Sequence, residues 1–141
     1  MPARSVTTTV LLIVAVTASA STRWQAGDPA DAPRITYDEF AALRGRGAVL
    51  VVDVREPQFY EMGHIPGAVS MPLATIRERA AGLAGDGRPI VTYCACVADE
   101  TSARAALILR SEGIRDVSVL EGGLLAWVRF GNPLEGHAAR D

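Results

Sequence analysis

Between Pro89 and Arg110 the chain passes from a short apolar, β-branched and aromatic run, Ile90-Val91-Thr92-Tyr93, into an alanine-rich run that starts at Ser102. The first run reads as a buried strand and the second has high helix propensity, so a strand feeds a helix through the short segment between them. That segment, Cys94-Ala95-Cys96-Val97-Ala98-Asp99-Glu100-Thr101, holds both cysteines of the 141-residue chain. A cysteine there lies at the C-terminal end of a strand and just ahead of a helix N-terminus. Free N–H groups and the positive end of the helix dipole favour an anion at that point, and a thiolate is one. Buried cysteines are commonly inert small hydrophobes, so position alone leaves a structural role open for Cys94 and Cys96.

The rest of the sequence repeats the strand-to-helix alternation. Thr36-Tyr37-Asp38-Glu39 is a capping box, in which the Thr36 hydroxyl accepts from the Glu39 N–H and the Glu39 side chain reaches back. It opens a short amphipathic helix through Phe40 and Leu43 that Gly45 to Gly47 end. Ala48 to Val54 is a continuous apolar run suited to a central parallel strand. Asp53 and Arg55 stand at its C-terminal end, where open α/β sheets place ligands. A carboxylate at a buried strand end needs hydrogen-bond partners, and adjacent loops can supply them, so both residues are expected to be structural. Pro57 starts a single helical turn. Gly63 to Ala68 is a turn, Ala68 to Met71 a short strand, and Leu73 to Leu83 a helix. Gly113 closes the long helix as its C′ residue. Val117 to Leu120 is the last strand, and Leu124 to Phe130 a closing helix with Trp127 and Phe130 directed to the core. Strands alternating with helices call for parallel pairing.

The N-terminus reads differently. Arg4, the apolar run Val10 to Val16 and the small-x-small triplet Ala18-Ser19-Ala20 fit an export signal over residues 1–20, cleaved after Ala20. The apolar run falls short of the roughly 20 residues that span a bilayer, which favours cleavage over an uncleaved anchor. The expected location is periplasmic or secreted, the alternative a membrane-anchored protein facing the periplasm, and after cleavage no stable membrane insertion is expected. Residues 21–33 read as a flexible leader, 34–134 as the folded domain and 135–141 as a tail. With a formal charge of −2 the chain has no basic field to draw nucleic acid. Only His64, in a turn, and His137, near the end, supply imidazoles. His64 is expected to be a hydrogen-bonded structural residue near the site. Without a ligand cluster, no metal site and no organic cofactor is expected.

Asp53-Val54-Arg55-Glu56, then Tyr60-x-x-x-His64-Ile65-Pro66-Gly67-Ala68, Tyr93-Cys94, Ser102-Ala103-Arg104-Ala105-Ala106 and Leu120-Glu121-Gly122-Gly123-Leu124-Leu125-Ala126-Trp127 occur in that order. Together they resemble a rhodanese-like domain, in single-domain form with an atypical C-x-C active-site loop. The resemblance implies a doubly wound α/β fold, with a parallel sheet of about five strands and helices on both faces. It also implies a sulfurtransferase, which moves sulfane sulfur from a donor such as thiosulfate through a cysteine persulfide to a small-molecule or protein thiol. By the same resemblance Cys94, the residue after Tyr93, is the catalytic cysteine, and Asp53 and Arg55 hold the architecture.

Ala95, Cys96, Val97, Ala98, Asp99, Glu100 and Thr101 then form the substrate-binding loop. In the family's common pattern that loop is compact, of about six residues, with Arg and Gly inside it, its amides gathered on one sulfur. Here it is longer and carries Asp99 and Glu100 instead, which oppose a dianion such as thiosulfate unless both turn to solvent. Counted back from Ser102 the nucleophile is Cys96, so Cys96 stands as the alternative nucleophile or as a resolving thiol. Amides from Ala95 onward are expected to curl around the Cys94 sulfur.

Two other readings compete. A longer loop also suits a dual-specificity phosphatase, but that chemistry needs an arginine at the loop's end to clamp phosphoryl oxygens, where Thr101 stands and Arg104 already lies in the helix. The other is a non-catalytic rhodanese-like binding module, or a C-x-C thiol redox module whose cysteines oxidise to each other in an oxidising compartment.

Overall fold

Val49, Val51 and Asp53 point to one face of their strand and Leu50, Val52 and Val54 to the other, and both faces are buried. That is why the segment is apolar throughout. In the computed structural model, which describes Met1 and residues 27–137, it forms β2 (Leu50–Asp53). The other strands are β1 (Arg34–Ile35), β3 (Val69–Ser70), β4 (Ile90–Tyr93) and β5 (Val117–Leu120). All pair in parallel in the order β1-β5-β4-β2-β3, which puts β4 at the centre.

The helices are α1 (Tyr37–Gly45), α2 (Pro57–Met62), α3 (Ile76–Ala84), α4 (Glu100–Ser111) and α5 (Gly123–Arg129). The sheet separates two cores. On one face Leu50, Val52, Ile90 and Val119 meet Ile76 and Ala80 of α3 and Ala103, Ala106 and Leu109 of α4, and Cys94 belongs to this cluster. On the other, Val51, Val91 and Tyr93 meet Phe40 of α1 and Leu124 and Trp127 of α5. The fold is therefore the doubly wound α/β architecture with helices on both faces. The capping box at Thr36 and Glu39 is formed, with both reciprocal bonds present.

Several boundaries move. The expected helix from Leu73 begins as a 3₁₀ turn, Leu73–Thr75, before α3. Helix α4 starts at Glu100, two residues earlier than Ser102. β1 is a strand only because it pairs with β5, Arg34 opposite Val119 and Ile35 opposite Leu120. Phe130 is a correction: it lies past the end of α5, exposed, and stacks on Tyr37 with ring centroids 3.8 Å apart. Before Arg34, Pro29–Asp31 forms a 3₁₀ turn capped by Asp28, and Ala32 joins the α3/α4 core. After Leu134, Glu135 pairs antiparallel with His64. Packing thus reaches past both edges of the expected 34–134 domain. Apart from Met1, the expected export segment and the expected leader up to residue 26 lie outside the described residues, as do residues 138–141. No helix among the described residues is long and apolar enough to cross a membrane.

Candidate active site

The C-terminal ends of β2 and β4 lie side by side, with Asp53 opposite Tyr93, and both side chains point to the α1/α5 face. Adjacency in register explains the bond between them: the Tyr93 hydroxyl donates to Asp53 Oδ2 at 2.6 Å and accepts from the Ile65 N–H at 3.1 Å. Arg55 closes the other side of the carboxylate, with Nε 2.9 Å from Oδ1 and Nη2 2.6 Å from Oδ2. The same Nη2 donates to the Gly63 carbonyl at 2.8 Å. Asp53 is fully buried, and its charge is balanced where it lies. Burial, and then the neighbouring Asp53 charge, push the Tyr93 hydroxyl far above its ordinary range. His64 is buried too; its Nδ1 lies 2.8 Å from the Tyr60 carbonyl and its ring stacks on Tyr60. Asp53 and His64 are absent from the cleft described next, whereas Arg55 lines it.

One residue beyond Tyr93 the side chain points to the opposite face, and there Cys94 is 1% exposed, at the base of α4. The Thr92 hydroxyl donates to the Ser102 carbonyl at 3.0 Å and ties the first turn of α4 to the central strand. The Cys96 N–H lies 3.4 Å from Cys94 Sγ, and Ser102 Oγ lies 3.5 Å from it. Ser102 has a single hydroxyl proton, and the Asp99 carbonyl at 2.9 Å is the better acceptor. Among the described residues, then, one loop amide faces this sulfur and not the whole loop. The reason lies in the backbone. Val97–Asp99 winds into a 3₁₀ turn, and Ala98 and Asp99 both adopt left-handed conformations, with φ of 57° and 56°. The Cys94 and Cys96 sulfurs are joined in a disulfide across Cα atoms 5.7 Å apart.

A cleft of about 590 Å³ opens above this pair. Val54, Phe59, Leu73 and Ala74 make its apolar walls, Arg55 and Glu56 its charged edge, and Cys94, Ala95, Cys96 and Thr101 its base. The expected binding loop therefore divides. Ala95, Cys96 and Thr101 face the cleft, while Val97, Ala98 and Asp99 face a smaller hollow beside α5, which Cys96 also lines. Glu100 lines neither and pairs with Arg104 at 2.6 Å on the exposed side of α4. Asp99 does not turn to solvent. It is buried, accepting from the Gly122 N–H at 2.9 Å and from Arg34 Nη1 at 3.3 Å. Neither acid thus faces a donor in the cleft; the carboxylate there is Glu56. With Arg104 paired outward, no arginine of α4 stands over the loop as a phosphate clamp.

Arg34, Ser102, Phe59 and Leu73 were not among the site residues expected from the sequence. Arg34 meets Asp99 across 65 residues of chain, a contact that no local pattern signals. The glycine pair did carry a signal. The Leu124 N–H donates to the Cys94 carbonyl at 2.9 Å, and a Cβ on Gly123 would collide with that same oxygen. Gly122-Gly123 is the point where α5 abuts the cysteine loop.

A cysteine held at the C-terminal edge of a parallel sheet, against the next helix's N-terminus, stands where α/β domains place their ligands and reactive groups. The model of the rhodanese-like domain family matches residues 36–130, and the chain belongs to that family. The HTH-type transcriptional regulator Rv0324 of Mycobacterium tuberculosis is 41% identical over 109 residues, 77% of this chain and 46% of that protein. The match thus spans less than half of the regulator. The thiosulfate sulfurtransferase GlpE of Pseudomonas fluorescens Pf-5 is 40% identical over 96 residues, 67% of this chain and 83% of that protein. Among solved structures, the rhodanese-like domain of the Alr3790 protein from Anabaena is 35% identical with a TM-score of 0.67, over 75% of this chain and 80% of that one.

Proposed function

We propose that this chain is a sulfurtransferase or persulfide carrier in which the Cys94 thiolate takes sulfane sulfur from a donor and passes it to a thiol. The observation that carries the reading is the position of Cys94, at the base of the cleft and beside the first turn of α4, where the helix dipole favours its thiolate. In the disulfide neither sulfur is a nucleophile, so reduction precedes catalysis. Arg55, the cation at the cleft, has its guanidinium engaged by Asp53 and Gly63, and the walls are apolar. Both features support a donor of low charge, such as an alkyl persulfide, ahead of thiosulfate. The disulfide favours a second reading, a thiol redox module without sulfur transfer.

Product release separates the two readings. Reduced protein, freed of reductant, is mixed with thiosulfate and sulfite is measured, or with an alkyl persulfide and the freed thiol is measured. A burst of about one product molecule per chain is expected, lost in Cys94→Ser and kept in Cys96→Ser. The reverse pattern would move the nucleophile to Cys96. A burst that needs both cysteines, or none from either donor, leaves the redox module.

Export completes the proposal, supported by the apolar run that ends in Ala18-Ser19-Ala20. N-terminal sequencing of protein from a fractionated bacterial host should read from Ser21 in the exported fraction. A full-length chain in the cytosol would overturn it.

A further inference from the structure

The Cys96 side chain occupies a position that sulfur transfer through Cys94 alone does not require. Its sulfur reaches the Cys94 sulfur closely enough to bond to it, through a backbone link of one residue, Ala95. It also lines both the cleft and the hollow beside α5, whereas Cys94 is 1% exposed. We infer that Cys96 discharges the Cys94 persulfide internally, so that the chain releases hydrosulfide and is left as the Cys94–Cys96 disulfide, to be reduced by an external dithiol. This rests on Cys94 being the sulfur acceptor.

The chemistry balances in three steps. The Cys94 thiolate attacks the outer sulfur of thiosulfate; a sulfur–sulfur bond forms, another breaks, and sulfite leaves. The Cys96 thiol then attacks the inner sulfur of the Cys94 persulfide. A bond forms between the two cysteine sulfurs, the persulfide bond breaks, and the outer sulfur departs as hydrosulfide with the proton that Cys96 gives up. The sulfane sulfur gains two electrons and the two cysteines lose them. Finally one thiol of a dithiol attacks the disulfide and its second thiol resolves the mixed disulfide, so both cysteines return reduced and the dithiol leaves oxidised.

The site is asymmetric in a way that orders these steps. The incoming dithiol meets Cys96, the less buried of the two residues, and the departing thiolate is Cys94, which receives the Cys96 N–H and lies beside the first turn of α4. A stabilised thiolate is the better leaving group. Attack from a neighbour held one residue away also outruns attack by a dilute external thiol, because its effective concentration is far higher.

Sulfide release in a single turnover tests this. Fully reduced wild type and Cys96→Ser are each mixed anaerobically with one equivalent of thiosulfate or of an alkyl persulfide, with no other thiol added, and sulfide is followed with time. Intact mass is then read after alkylation. Wild type should release sulfide at least about ten times faster than Cys96→Ser and finish with neither cysteine alkylated. Cys96→Ser should keep one added sulfur, and its slow sulfide reports what donor-derived thiol does unaided. In multiple turnover, dithiothreitol should sustain release by wild type. Equal rates in the two proteins, or a wild type that keeps the added sulfur with Cys96 still alkylatable, would overturn the relay while leaving Cys94 as a sulfur acceptor. No product burst and no added sulfur in Cys96→Ser would overturn both.

Discussion

Tyr93 shows how one side chain couples the frame of the site to the solution. Its hydroxyl is buried between the Asp53 carboxylate and the Ile65 amide, and burial first, then the Asp53 charge, hold its proton far above the ordinary value of 10.0. An unfolded chain would lose that proton near the ordinary value, while the folded chain keeps it. The contribution is therefore complete below pH 10 and is lost as pH rises further, by about 1.4 kcal/mol per pH unit for one proton. Urea unfolding of wild type at about pH 8 and about pH 11 should show that fall, and Tyr93→Phe should show a much shallower one. Tyr60, raised by burial and by the charges of Glu135 and Asp53, leaves a smaller remainder in both. Equal losses in the two proteins would mean that Tyr93 does not carry the alkaline limb. That the Asp53 carboxylate would be hydrogen-bonded was legible because a carboxylate ending an apolar strand must find donors; that Tyr93 is one of them follows from a register the sequence does not display.

At the level of elements, α5 acts on Cys94 through its first residues. Gly123 has φ of +49°, and a Cβ there would overlap the Cys94 carbonyl oxygen and come within 3.3 Å of Asp99 Oδ1. Gly123→Ala should therefore lose on the order of 3 kcal/mol, from the left-handed conformation and from displacement of the loop. The product burst should slow as well. Gly45→Ala, at the end of α1 where a Cβ meets nothing, should change stability by less than about 1 kcal/mol. Urea midpoints of the two variants check this, and a Gly123→Ala as stable as wild type would refute the contact's role. The strands and helices that carry long apolar or alanine-rich runs could be read from the sequence. β1 could not, because two residues hold no periodicity and gain strand character only from β5. The inner shape of the cysteine loop was also hidden. Alanine and aspartate seldom adopt the left-handed region, so Ala98 and Asp99 gave no sign of the turn that leaves a single amide on the Cys94 sulfur.

Over the whole molecule, the end of the described chain is tied to the middle. Glu135 exchanges two backbone hydrogen bonds with His64, at 2.8 and 2.9 Å, and its carboxylate accepts from the Gly67 N–H at 3.1 Å. A chain stopped after Leu134 should lose about 1–3 kcal/mol of stability, since each such bond is worth about 1 kcal/mol net and this one lies near the surface. Urea unfolding measures it, and an unchanged midpoint would make residues 135–137 a passive tail. The Cys94 side chain, meanwhile, belongs to the α3/α4 core as well as to the cleft. Descendants of such a chain that exchange this one sulfur for a methyl group of similar size would give up little packing. Inheritance of the shape and inheritance of any chemistry at this position are therefore separable, and a lineage can change the residue while keeping the domain as a scaffold for other uses.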